Sequence, residues 1–114
     1  MSEDEERINK TRYLWQIRKD PITKPLLHCR LMYLLAAAAF ADEQYYLSKA
    51  YLEYSQRAMA LLLRRVHAVL RQTNSGGITL RTMGVINAQN LEIQEAFRQL
   101  DEFGPWLRFP LRHY

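Results

Sequence analysis

The chain has little of what makes a polypeptide turn often. Glycine and proline number four each in 114 residues. They gather at a few junctions, which excludes a many-turned β fold and favours helices. Cysteine is nearly missing. Cys29 stands alone, so no disulfide forms within the chain and a reducing compartment is expected. Long apolar runs are also lacking: the longest stretch without a charge, residues 31–41, holds 11 residues, whereas a bilayer span needs about 20. No membrane-spanning segment is expected. The start, Ser2-Glu3-Asp4-Glu5-Glu6, is acidic where secretory signals and transit peptides are basic, so the expected location is nucleus or cytoplasm.

Recognisable reaction chemistry is absent too. Gly76-Gly77 runs into Ile78-Thr79-Leu80 without the lysine that a phosphate-cradling loop requires. His28, Cys29, His67 and His113 are the only imidazole or thiol ligands. Their spacing fits no zinc pattern, and adjacent helical residues such as His28 and Cys29 point about 100° apart. Glu92 and Glu95 share a helix flank among solvated neighbours, an environment of ordinary acidity with no poised base. The expectation is a non-enzymatic protein with no metal, no cofactor and no small-molecule substrate. Internal repeats are absent.

Charge is present, and it is uneven. The net charge is +4. Residues 1–6 carry four acids, residues 7–30 carry seven bases against Asp20, and residues 57–81 carry five bases and no acid. A balance of this size permits a nucleic-acid or anionic-lipid partner without requiring one. The basic segment 7–30 lacks the strong apolar face of a membrane-surface helix, which puts nucleic acid ahead of lipid.

Apolar periodicity organises the chain into helices. Ser2 followed by Glu5 has the form of a capping box and opens a first helix, expected over about Ser2 to Lys19, with Ile8 and Trp15 on one face. Asp20-Pro21-Ile22-Thr23-Lys24-Pro25 breaks it. Pro25 suits the first position of a second helix, expected from Leu26 to about Ala41. That helix is apolar nearly all round apart from His28 and Arg30, which implies burial on several sides; its run Ala36-Ala37-Ala38-Ala39 lets a neighbour approach closely. Asp42 is expected to cap a long helix after a tight turn, unless the two helices are continuous. Asn74-Ser75-Gly76-Gly77 is the clearest break. A last helix, starting at about Thr79 or Asn87 and ending near Phe103, buries Ile86, Gln89, Ile93, Ala96, Phe97 and Leu100.

The long helix, about residues 43–72, is the most informative element. It contains no glycine and no proline. Wound at about 100° per residue, it gathers Tyr51, Leu52, Ala58, Met59, Leu62, Leu63, Val66, Val69 and Leu70 on one arc. Opposite Val66 runs a line of arginines, Arg57, Arg64 and Arg71, spaced by sevens and drifting about 20° per step. Tyr46 and Glu53 extend the line towards the N-terminus. Lys49, Arg65 and His67 lie on the same side, together with Tyr54 and small neighbours. Guanidinium groups in a row can neutralise phosphates, and tyrosines can stack on unpaired bases. The alternatives are a solvated face and pairing with the acidic side of the last helix.

The inner edge has a second reading. Ser48, Leu52, Ser55, Met59, Leu62, Val66 and Val69 fall at steps of four and three, the spacing of a coiled coil. The second helix is too short to cover the long one, so a bare apolar strip is expected to seek the other helices, a second copy or a different protein. Leu52, Met59, Leu62, Val66 and Val69 are therefore candidate interface residues, as are Trp106 and Phe109 in the Pro- and aromatic-rich tail 105–114.

The expected architecture is all-α: a compact bundle of about four helices over 1–104, with one long central member, followed by the tail. The first expectation for function is a small assembly or adaptor protein acting through helix–helix contacts, self-associating or bound to a protein partner. The second is a nucleic-acid-binding protein, RNA or DNA, whose arginine line lies against phosphates.

Overall fold

Helices account for nearly all of the computed structural model, which describes residues 2–73 and 78–102. Their order is α1 Glu3–Ile17, α2 Thr23–Ala41, α3 Tyr45–Thr73 and α4 Leu80–Asp101. No strand occurs among the described residues, and the four-helix, all-α expectation holds. No described helix is long and apolar enough to cross a membrane. The tail 105–114, with Trp106 and Phe109, lies outside the described residues.

The Ser2 hydroxyl caps α1 by accepting from the Glu5 amide at 3.2 Å, and four acids sit in the first turn, where the helix dipole favours them. α1 buries no residue fully, in keeping with its weak apolar pattern, and packs chiefly on α2. It stops at Ile17, two residues earlier than expected; Arg18 is already extended.

α2 starts earlier than the sequence implied, at Thr23 rather than Leu26. The Asp20 carboxylate accepts from the Thr23 amide at 2.7 Å and the Asp20 carbonyl accepts from Lys24 at 3.2 Å. Pro25 becomes the third helical residue, still in the first turn, where a missing N–H costs nothing. Packed on α1, α3 and α4, α2 is the central element, which explains why its sequence shows no single apolar face.

Separate helices, not one continuous rod, meet at residues 42–44. The Glu43 amide donates to Phe40 O at 3.0 Å and the Gln44 amide to Ala39 O at 2.8 Å, the paired bonds of a Schellman ending. Glu43 takes φ 60° there, a position that favours glycine. Asp42 therefore closes α2 and does not cap α3. Gln44 holds that place, its carbonyl accepting from the Ser48 amide at 2.9 Å.

α3 is the expected rod, 29 residues without a break and about 44 Å long at 1.5 Å per residue. Its N-terminal half folds back on α2 in an antiparallel register fixed by two serines. Ser48 Oγ donates to Ala36 O at 2.7 Å and Ser55 Oγ to Cys29 O at 2.8 Å, so a step of seven on α3 meets a step of seven on α2. The small residues Cys29, Ala36, Ser48 and Ser55 are all buried, as close helix approach requires.

Here the structure corrects the interface expectation. Leu52, Met59, Leu62 and Val66 are between 0% and 2% exposed, within the chain's own core, and Val69 is half-buried. The coiled-coil spacing is real, but α2 occupies the first part of the seam. Further along, Leu62 and Val66 join Ile86 and Ile93 of α4 in the same core cluster, so these seam residues are covered within the chain.

α4 begins at Leu80, with Thr79 Oγ1 accepting from the Thr82 amide at 3.1 Å, not at Asn87, and its last helical residue is Asp101. It buries Ile86, Gln89, Ile93 and Leu100 as expected; Ala96 and Phe97 are half-buried.

Candidate nucleic-acid interface

An unbroken helix keeps residues seven apart on one side with about 20° of drift and about 10.5 Å of rise. Arg57, Arg64 and Arg71 therefore form one line on α3, and all three are exposed. Among the described residues none of them pairs with a carboxylate. Three acids of α4 and its C-cap are engaged elsewhere: Glu95 and Glu102 hold Arg98, and Glu92 holds Arg30 of α2 at 3.3 Å. Asp101 is exposed and forms no ion pair with the line. Among the described residues the line does not pair with the acidic side of α4.

The surrounding residues divide. The Arg57 guanidinium lies over the Tyr54 ring, 5.4 Å from its centroid, in reach of a cation–π contact. Tyr54 and Tyr46 are exposed on the same side. His67 is exposed as well, whereas Lys49 is half-buried on a flank. Arg65 is exposed, yet its Nη1 donates to Pro21 O at 3.2 Å, which leans it over the α1–α2 turn. Glu53 places a negative charge at the N-terminal end of the line, so the purely basic stretch of α3 starts at Arg57.

Beside the line, three helices open a groove of about 250 Å³, lined by Trp15 of α1, Lys24, Pro25 and His28 of α2, and Leu61 and Arg65 of α3. The Trp15 and His28 rings stack at 5.4 Å with 20° between their planes. Lys24 Nζ lies 5.3 Å from the Trp15 ring centroid and donates to Trp15 O at 3.0 Å and Arg18 O at 3.3 Å. Burial lowers the His28 pKa below its ordinary 6.5, leaving a neutral ring near pH 7. Sequence reasoning singled out only Arg65 of these six for binding. The available signal was an aromatic–cation run, Trp15 to Lys24, at the end of a helix with no strong apolar face.

A polar cluster at the edge of the core, with Gln89 buried and Arg30 and Glu92 half-exposed, was also missed. Arg30 Nη1 donates to Gln89 Oε1 at 3.1 Å and to Glu92, and its guanidinium lies 5.9 Å from the Tyr33 ring centroid. Burial raises the Tyr33 pKa, and the Glu92 charge raises it further. Arg30 on an apolar helix and Gln89 on the inner face of α4 were each odd in sequence, and they face each other. Cys29, 0% exposed, lies 3.4 Å from the Ser55 hydroxyl. Burial pushes its thiol pKa up, which keeps it protonated and poorly nucleophilic. Among the described residues no three of His, Cys, Asp and Glu gather where they could hold a metal ion. Set against known protein families, curated proteins and solved structures, the chain matches none.

Proposed function

We propose that this chain is a non-enzymatic nucleic-acid-binding protein whose contact surface is the outer side of α3 from Arg57 to Arg71. The reading is carried by one observation: three exposed arginines on a rigid rod, with no carboxylate partner among the described residues. One rigid helix sets the spacing of the three arginines before binding, and each guanidinium pairs with phosphate oxygens in a bidentate fork. Tyr54, with Arg57 over its ring, adds an aromatic face to which an unpaired base can stack.

The test is fluorescence anisotropy with a labelled single-stranded oligonucleotide and its duplex, at low salt. Changing Arg57, Arg64 and Arg71 together to glutamine leaves the core untouched, so the helical circular dichroism is retained. Affinity is expected to fall about tenfold or more, because phosphate neutralisation supplies most non-specific binding. Equal affinity for the parent and the triple variant would contradict the proposal.

A second reading rests on a separate observation. Leu47, Tyr54 and Leu61, also spaced by sevens, are 43%, 52% and 37% exposed and form an apolar line beside the arginines. Its occupant would be a second copy of this chain, whose exposed first turn, Glu3, Asp4, Glu5 and Glu6, supplies complementary charge. Sedimentation of a folded monomer at micromolar concentration removes this reading and leaves the first in place.

A further inference from the structure

The groove beside the arginine line has a composition that the phosphate reading does not use. Its floor is apolar (Pro25, Leu61, the Trp15–His28 pair), and its two charged members, Lys24 and Arg65, are both cations. No lining residue is acidic. At about 250 Å³ it has room for one flat ring system. A flat aromatic group bearing an anion satisfies every part of that lining. A nucleotide is such a group.

The groove and the line are contiguous through α3. Leu61 lies one turn after Arg57 and one turn before Arg64 and Arg65, and helix neighbours three or four apart stand about 5–6 Å from one another at Cβ. A strand whose phosphates follow Arg57 and Arg64 therefore passes the mouth of the groove.

We infer that the groove between α1, α2 and α3 receives one unpaired base of a single-stranded nucleic acid whose phosphates lie on Arg57 and Arg64. The base sits over Leu61 against the Trp15–His28 pair, and its own phosphate meets Lys24 and Arg65. Bases in a duplex are stacked and paired and cannot enter; bases in a single strand can be turned out onto an aromatic platform. This inference rests on the nucleic-acid reading and adds the choice of strand state.

Trp15 is itself the probe. In a Trp106→Phe background it is the only tryptophan, and its emission is followed while the anisotropy of a labelled oligonucleotide reports binding. Three titrants, a single-stranded oligonucleotide, the corresponding duplex and a mononucleotide, are each added to the parent and to Leu61→Gln. Leu61 is 37% exposed, so the glutamine removes the apolar floor of the groove at little cost to the core and adds no charge beside Arg57 and Arg64. The expected result is quenching of Trp15 by the single strand, little change with duplex or mononucleotide, and single-strand binding weakened by Leu61→Gln about threefold or more while duplex binding falls by less. Binding with Trp15 emission unchanged, or identical behaviour of single strand and duplex, overturns the inference while leaving the arginine line standing. Quenching by mononucleotide without binding of any oligonucleotide overturns the nucleic-acid reading and makes the groove a free-nucleotide site.

Discussion

The two halves of α3 are sealed by different chemistry and carry different surfaces. Over residues 45–56 the inner edge is narrow and partly polar. Ser48 and Ser55 let α2 come close and are satisfied by its carbonyls, while the outer side, with Lys49 and Glu53, is neutral. Over residues 57–73 α2 comes to its end, its first turns still sharing a groove with Leu61 and Arg65. Aliphatic side chains, Leu62 and Val66, pack in the core with α4, and the segment carries four arginines and no acid. Nothing in the packing demands that asymmetry of charge, since apolar burial is indifferent to what the opposite edge displays. The core accounts for the inner edge; the outer edge of the second half is the surface on which the proposed polyanion contact rests.

The contrast can be broken from either side. Removing bulk from the aliphatic half has the largest expected effect: Leu62→Ala, at a fully buried site, should cost about 2–5 kcal/mol, read as a lower urea midpoint. Next comes the polar half. Ser55→Ala removes the second donor to the Cys29 carbonyl, which keeps its helical bond, and should cost about 0.5–1.5 kcal/mol, measured the same way. Neither change should alter nucleic-acid affinity under conditions where the variant is folded. A loss of binding in folded Ser55→Ala would erase the distinction between the halves. The smallest effect sharpens the comparison instead. Gly84 lies inside α4, exposed and with nothing within 4 Å of an added Cβ. Gly84→Ala should therefore stabilise the helix that covers the second half by about 0.5–1 kcal/mol, seen as a higher melting temperature.

Much of this was legible beforehand, for physical reasons. The long rod, the buried arc and the inner face of α4 follow from period alone, because burial selects one side of a helix and the pattern records it. What period could not show was which surface meets which. The seam of Leu52, Met59, Leu62 and Val66 reads identically whether the partner is a second copy or the chain's own α2 and α4, and the register became visible only through the Ser48 and Ser55 bonds. The start of α2 shifted because the Asp20 side chain, three residues upstream, takes over the cap for Thr23. The arginine line was legible as a line, but its freedom from partners was not: that depended on where Glu92, Glu95 and Glu102 were spent. The groove was least legible of all, since Trp15, His28 and Leu61 come from three helices and only tertiary packing unites them.

Salt dependence probes the central claim most directly. With a single-stranded oligonucleotide, log Kd is measured against log salt concentration for the parent and for the variant with Arg57, Arg64 and Arg71 all changed to glutamine. Three phosphate contacts on a single strand correspond to a slope difference of about 2, and the account predicts that the variant's line is shallower by that amount. Parallel lines for the two proteins would contradict it.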